Sequence, residues 1–165
     1  MGNGIVVSLC LDLAVAGWAA LRFNFRGAGN SEGSYDEARG EMEDVRGASD
    51  FLFVQPEIDP GDSAVIGYSF GAGVALHQAA RDRRLRQLVG IALVKEHYDD
   101  PFLDDDRRPK LLIAGENDQW APVQALRQYV ERLEPPKDLY VVPGVGHLFS
   151  GREDEVTNVI VDWLS

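Results

Sequence analysis

The segment 67–71 reads Gly-Tyr-Ser-Phe-Gly and lies between an apolar run and a helix-forming stretch. A G-x-S-x-G pattern between a strand and a helix predicts a sharp turn with a strained serine. Gly67 and Gly71 are expected to be glycine because side chains there would collide across the bend. The turn would expose the hydroxyl of Ser69 and place the Phe70 N–H at a helix start, where it can stabilise an oxyanion. The alternative is a glycine-rich turn without a chemical role.

Two further loops carry chemistry-bearing side chains. The apolar run 110–114 is followed by Asp118, and Pro122 is suited to the first position of the next helix. The apolar run 139–142 is followed by a glycine-rich loop that contains His147. Because parallel strands present their carboxyl ends at one edge of a sheet, we expect these loops to converge on the serine turn.

Together these three residues have the composition of a catalytic triad. The hydroxyl of Ser69 is a poor nucleophile until an imidazole accepts its proton, and a carboxylate must hold that imidazole in the correct tautomer. His147 and Asp118 can fill these roles. The competing acids are worse placed, since Glu116 is closer to its strand and Asp138 precedes one. Asp118 could instead only cap the following helix, and the histidine could be a loop residue without a role.

The segment 21–36, with the sequence LRFNFRGAGNSEGSYD, resembles the strand-and-turn signature of small bacterial α/β-hydrolases of the dienelactone-hydrolase-like branch. The elbow at Ser69, the G-x-x-D loop at Asp118 and the G-x-G-H loop at His147 match that family in the same chain order. The resemblance covers essentially the whole chain. It implies a lidless or nearly lidless serine hydrolase that cleaves carboxylic esters or related acyl compounds, with the Phe70 N–H in its oxyanion hole. Dienelactone hydrolases proper carry cysteine at the elbow, so their substrate is not transferred.

The same resemblance indicates that the first three strands are absent, together with the His-Gly or His-Pro loop that supplies a second oxyanion donor. Residues 5–16 read as the first helix. The strands around Leu21 and Val65 must then pair directly or leave unpaired backbone groups, each costing about 1–3 kcal/mol if buried. A start codon assigned too far downstream and a degenerate protein are the two explanations. The alternative function is therefore a catalytically inactive or truncated α/β-hydrolase-like protein with a non-enzymatic role.

Alternating strand and helix patterns predict an α/β fold with a mainly parallel sheet, helices on both faces and no substantial lid. The length is that of a single domain over residues 1–165. About five strands are predicted, at residues 19–25, 64–68, 87–94, 110–114 and 139–142. The predicted helices cover residues 5–16, 36–54, 70–82, 123–133 and 153–164.

The net charge and the cysteine content limit which classes of binding partner and which cellular compartment we expect. With 16 basic and 27 acidic residues the net charge is −11, which argues against nucleic acid and anionic membranes as partners. A small-molecule acyl substrate is the expected partner. Cys10 is the only cysteine, which fits a reducing compartment. Asp12 interrupts the apolar amino end and no basic residue precedes it, so we expect a cytoplasmic protein without a signal peptide or membrane span.

No cofactor is expected. The glycines in segment 27–29 follow a predicted strand, but Glu32 stands where a dinucleotide fingerprint needs its third glycine. His77 lies inside the helix after the elbow and is expected to be packed or exposed rather than catalytic.

The acidic segment 95–106 follows a predicted strand and should border the site. Its aspartates lack the register of a calcium-binding loop, so we expect a solvated rim and no metal. His97, Tyr98, Phe102 and Trp120 are the candidate pocket-lining residues. The segment is short, which favours an open pocket and small or exposed acyl substrates.

Overall fold

The sheet of this protein contains four parallel strands in the described part of the chain, residues 4–165 of a computed structural model. The strands are arranged in sequence order, with Tyr68 opposite Ile91 and Gly115 opposite Val142. The central strands are almost continuously apolar, as expected for a sheet covered on both faces. The four strands are β1 (Ala64–Tyr68), β2 (Gln87–Ile91), β3 (Lys110–Gly115) and β4 (Lys137–Val142).

Residues 4–165 contain five α-helices, namely α1 (Gly4–Val15), α2 (Arg39–Phe53), α3 (Phe70–Arg81), α4 (Val123–Arg132) and α5 (Glu153–Leu164). Strand residues alternate between the two faces of the sheet. Leu88 and Leu112 pack under α3 and α4, whereas Val89 and Ile113 pack under α1 and α5. The helix α2 lies against α3.

The α/β class with helices on both faces is as predicted, but one predicted strand is wrong. Residues 19–25 form no strand, so the described sheet has four strands rather than about five, and β1 is one of its edges. The rings of Phe23 and Phe25 pack edge-to-face at 5.5 Å, and Phe25 contacts Phe70 at 5.9 Å. Residues 19–23 are exposed, so water can satisfy backbone groups that no neighbouring strand pairs.

Two predicted element boundaries also differ for backbone reasons. The helix predicted from residue 36 begins at Arg39, because Glu37 and Ala38 adopt positive φ angles of 51° and 70°. The strand β2 ends at Ile91 because Ala92, with φ 51°, is no longer extended, although its N–H still donates to the Ile113 carbonyl at 2.7 Å. Positive φ is incompatible with both regular structures.

The topology gathers three loops at the carboxyl edge of the sheet. The loops after β3 and β4 are hydrogen-bonded to each other, with the Asn117 N–H donating to the Val145 carbonyl and the Gly144 N–H donating to Glu116, both at 2.8 Å. The segment 92–109 between β2 and β3 contains one short 3₁₀ turn, and the described chain carries no substantial lid there. Among residues 4–165, no helix has the length and apolarity needed to cross a membrane.

Candidate active site

The turn between β1 and α3 holds Ser69 in a strained backbone conformation, with φ 54° and ψ −122°. A Cβ atom added to Gly67 would lie 2.3 Å from the Gly71 carbonyl oxygen and 2.5 Å from the Cα atom of Ala72. Glycine is therefore required at position 67, as predicted. The same expectation is wrong at position 71, where an added Cβ would meet only a ring carbon of Phe25 at an ordinary 3.7 Å.

The serine, histidine and acid loops meet at this turn. The Oγ atom of Ser69 lies 2.7 Å from Nε2 of His147, and Nδ1 of the same ring lies 2.7 Å from Oδ2 of Asp118. Because the carboxylate accepts, Nδ1 carries the proton and Nε2 accepts from the serine hydroxyl. This is the arrangement in which an imidazole can take the serine proton.

The carboxylate of Asp118 has two functions. Its second oxygen, Oδ1, accepts the backbone N–H groups of Trp120 at 2.9 Å and Ala121 at 3.0 Å. Asp118 therefore organises the turn before α4, as the capping alternative proposed, and also holds the ring of His147. Its side chain is fully shielded from solvent, which strengthens both interactions.

The competing acids are engaged elsewhere. Glu116 accepts the backbone N–H of Gly144, and Asp138 accepts the indole N–H of Trp163 at 2.9 Å. Each therefore supports the loops or the last helix rather than the imidazole.

Phe70 is the first residue of α3. Its N–H belongs to the first turn, where backbone donors have no carbonyl partner within the helix. The donor therefore follows Ser69 directly and lies at the positive end of the helix dipole. The Phe70 ring is partly exposed and contacts Phe25 and Tyr35 at 5.9 and 5.8 Å.

Tyr68 is a site residue that the sequence analysis missed. Its O–H donates a 2.7 Å hydrogen bond to the backbone carbonyl of His147. The G-x-S-x-G pattern leaves this position unspecified, so the motif carries no signal for it. The sequence offered one signal: Tyr68 ends a predicted strand, and the carboxyl ends of parallel strands meet at the sheet edge where the histidine loop was expected.

The predicted pocket-lining residues have different environments. Trp120 is 61% exposed, and its ring lies edge-on to the ring of His147 at 4.9 Å. Tyr98 does not line the site, which corrects the prediction, because the 3₁₀ turn before it directs its ring into the core. There it is 5% exposed, stacks on Tyr129 and donates to the Leu93 carbonyl at 2.8 Å. Burial raises the pKa of the Tyr98 phenol.

His97 and Phe102 pack beside α3, beyond the elbow. The ring of Phe102 stacks on His77 at 3.7 Å, and the His97 ring lies so close to Gly73 that a Cβ there would overlap it. His77 bonds to the Gly73 carbonyl and to Asp100, each at 2.9 Å, so it is packed as expected. Burial, followed by the neighbouring His77, lowers the pKa of His97.

The acidic segment 95–106 is partly structural. Asp106 is buried and accepts a 3.0 Å hydrogen bond from the guanidinium of Arg108, which corrects the expectation of a wholly solvated rim. Asp104 lies 3.5 Å from the guanidinium of Arg132. Across residues 4–165, no group of three His, Cys, Asp or Glu side chains is arranged to hold a metal ion.

Comparisons with known proteins bear on the family and the fold of this chain. Residues 8–143 match the family described as X-Pro dipeptidyl-peptidase (S15 family). A solved α/β serine hydrolase homologue from Coxiella burnetii is 30% identical with a TM-score of 0.88, over 100% of this chain and 78% of that one. An α/β serine hydrolase without lid from Xanthomonas campestris is also 30% identical, with a TM-score of 0.84, over 99% of this chain and 73% of that one.

An uncharacterized protein from Mycobacterium tuberculosis is 31% identical over 88% of the length of the present chain. The chain spans 60% of the length of that relative.

Proposed function

The chain belongs to the X-Pro dipeptidyl-peptidase (S15) family and to the α/β-hydrolase superfamily, and from that premise we propose a serine hydrolase that cleaves carboxylic esters or related small acyl compounds. The observation that carries this proposal is the hydrogen-bonded series from Ser69 through His147 to Asp118. The Ser69 oxygen is the nucleophile, the imidazole is the general base, and the carboxylate orients the ring.

In the first half of the reaction the Oγ atom of Ser69 attacks the substrate carbonyl carbon, and its proton passes to Nε2 of His147. The carbonyl electrons move to oxygen, and the Phe70 N–H donates to the resulting oxyanion. The anionic Asp118 stabilises the imidazolium that forms. When the tetrahedral species collapses, the bond to the leaving oxygen breaks and Nε2 returns its proton to that oxygen. The products are an alcohol and an acyl-enzyme.

The second half uses water in place of the serine. His147 accepts a proton from the attacking water while the new C–O bond forms. Breakdown of this second tetrahedral species releases the acid, and the imidazolium returns the proton to the Oγ atom of Ser69. Each proton is taken and returned by the same nitrogen, so the cycle needs no added cofactor.

The shape of the site favours small or exposed acyl groups. Trp120, whose ring lies edge-on to that of His147, is 61% exposed, and Leu148, the residue after His147, is 65% exposed, so apolar side chains at the site remain open to solvent. The short segment 92–109 does not cover them as a lid would. An ester places a smaller demand on the site than a peptide does, because an ester carbonyl lacks the amide resonance that protects a peptide from attack, and Phe70 contributes a single N–H to the oxyanion.

Hydrolysis of four chromogenic substrates tests this proposal. These are the p-nitrophenyl esters of acetate, butyrate and palmitate, and an Ala-Pro p-nitroanilide that represents the substrate class in the family description. We expect cleavage of the short esters, weak cleavage of the palmitate ester and loss of activity in Ser69→Ala, but not in the control Ser34→Ala. Activity that survives in Ser69→Ala contradicts the assigned nucleophile, and cleavage of the anilide alone contradicts the ester class. A folded chain without any activity supports the non-enzymatic alternative.

A further inference from the structure

The loop that carries His147 has an intrinsically permissive backbone. Gly144 and Gly151 adopt φ angles of 74° and 77°, and Gly146 precedes the histidine directly. Glycine loses more conformational freedom on folding than any other residue, so this loop needs external contacts to fix it. A catalytic base on such a loop keeps its position only if the protein holds its backbone as well as its ring.

Contacts to the acid loop hold one side of the histidine loop. The Asn117 N–H donates to the Val145 carbonyl, and the Glu116 carboxylate accepts the Gly144 N–H, both at 2.8 Å. These bonds fix the residues before His147 relative to the loop after β3. They do not involve the serine turn, which belongs to a different strand.

Tyr68 provides a connection to that turn. Its O–H donates to the His147 carbonyl at 2.7 Å, and its ring lies 5.8 Å from the imidazole and 6.4 Å from the ring of the fully buried Phe149. Tyr68 directly precedes Ser69 in the chain. The short segment that presents the nucleophile therefore also holds the backbone of the residue that must activate it.

We propose that Tyr68 is a positioning residue that fixes the distance between the Ser69 oxygen and the His147 imidazole through the main chain of the histidine loop. This inference rests on the proposed function of the triad. The phenol does not touch the reacting atoms, so it acts on the placement of the base. Small displacements matter here, since a misplacement of about 1 Å can cost about 10²-fold in rate.

Two tyrosine-to-phenylalanine substitutions separate this role from a general effect on folding. Tyr68→Phe keeps the ring contacts and removes the bond to the His147 carbonyl. Tyr140→Phe is the matched control, because its O–H donates to Glu155 on α5 at 2.8 Å. Tyr68→Met, which fills volume flexibly without a hydroxyl, covers the case in which Tyr68→Phe does not fold.

Two readouts are measured on each folded variant. The first is the rate of acylation by p-nitrophenyl acetate and by a fluorophosphonate probe, with kcat and KM determined separately. The second is the downfield proton resonance of the His147 Nδ1–H bonded to Asp118, which reports on the ring without requiring turnover. We expect Tyr68→Phe to lower kcat and the labelling rate about tenfold with little change in KM, and to shift or broaden the resonance. Tyr140→Phe should leave all of these unchanged.

The outcomes distinguish the two proposals. An unlabelled, folded native chain contradicts the serine hydrolase, and the resonance still tests the positioning role. A native chain that reacts, with Tyr68→Phe equal to it in rate and resonance, overturns the role of Tyr68. Equal losses in Tyr68→Phe and Tyr140→Phe also overturn it, because the effect would then be general.

Discussion

The Oδ2 atom of Asp118 lies 2.7 Å from Nδ1 of His147, and this bond sets which ring nitrogen faces the serine. Replacement by asparagine presents an amide in place of the carboxylate and removes the charge that stabilises the imidazolium. We predict that Asp118→Asn lowers kcat by about 10⁴-fold. The thermal unfolding midpoint should stay close to that of the native chain, because the amide oxygen can still accept the backbone N–H groups of Trp120 and Ala121.

Asp138→Asn is the control for this substitution, since Asp138 bonds to Trp163 on the last helix. Steady-state ester hydrolysis compares the two variants. Similar losses of kcat in Asp118→Asn and Asp138→Asn would show that Asp118 has no special relation to the imidazole.

The two glycines of the elbow should respond oppositely to alanine. Gly67→Ala would place its Cβ 2.3 Å from a backbone oxygen, which the turn cannot relieve without moving the nucleophile. We predict loss of activity and a clearly lower unfolding midpoint. Gly71→Ala meets only an ordinary contact at 3.7 Å and lies in α3, so we predict near-native activity and unchanged or slightly raised stability, by up to about 1 kcal/mol.

Thermal unfolding and ester hydrolysis of both alanine variants test this contrast. An inactive Gly71→Ala together with an active Gly67→Ala would contradict the geometry of the turn.

The carboxylate of Asp44 should make the free energy of unfolding depend on pH in the acidic range. It accepts a hydrogen bond from the Arg26 guanidinium at 2.8 Å and one from the Arg26 backbone N–H at 2.9 Å, and chiefly the first of these lowers the pKa of Asp44 below the ordinary 3.8. A carboxyl group whose pKa is lower in the folded than in the unfolded chain stabilises the fold at pH values above the unfolded-state pKa. That stabilisation is lost as the pH falls through the folded-state pKa. We predict that Asp44→Asn unfolds at a lower temperature than the native chain at pH 7.

The difference in unfolding temperature between the native chain and Asp44→Asn should narrow as the pH falls below 3.8, because the carboxyl group then takes up a proton in the unfolded chain first and in the folded chain only at lower pH. Unfolding midpoints from pH 3 to pH 7 measure it. A difference that stays constant over this range would contradict the assigned role of the ion pair with Arg26.

Trp120 tests the proposed acyl site. Its exposed ring lies 4.9 Å from that of His147, so its removal should weaken substrate binding more than it affects the chemistry. We predict that Trp120→Ala raises KM for p-nitrophenyl butyrate several-fold and changes kcat less, whereas Trp120→Phe stays close to the native chain. Unchanged KM in Trp120→Ala would exclude this ring from the acyl site.

The sequence carried strong signals for the parts of the site that depend on local structure. The glycine pattern around Ser69 and the positions of Asp118 and His147 after apolar runs were sufficient, because parallel strands bring such loops to one edge. Strands β1 and β3 were predicted with at most one residue of error for the same reason, since buried parallel strands have continuous apolar sequences.

Features that depend on neighbouring elements were not predictable from pattern alone. Residues 19–25 have a strand-like sequence, but a strand requires a hydrogen-bonded neighbour, and no strand within residues 4–165 pairs with them. Tyr98 follows a strand as a pocket residue would, yet a 3₁₀ turn directs its ring into the core. Tyr68 contacts a carbonyl 79 positions away, and no local pattern marks such a bond.

The most direct measurement of the central claim is the site and extent of covalent labelling by a fluorophosphonate probe. Intact mass and peptide mapping are applied to the native chain and to Ser69→Ala, both shown to be folded by circular dichroism. We predict about one probe molecule per native chain, attached to Ser69, and no labelling of Ser69→Ala. A folded native chain that stays unlabelled, or a label attached to another residue, would contradict Ser69 as a nucleophile activated by His147.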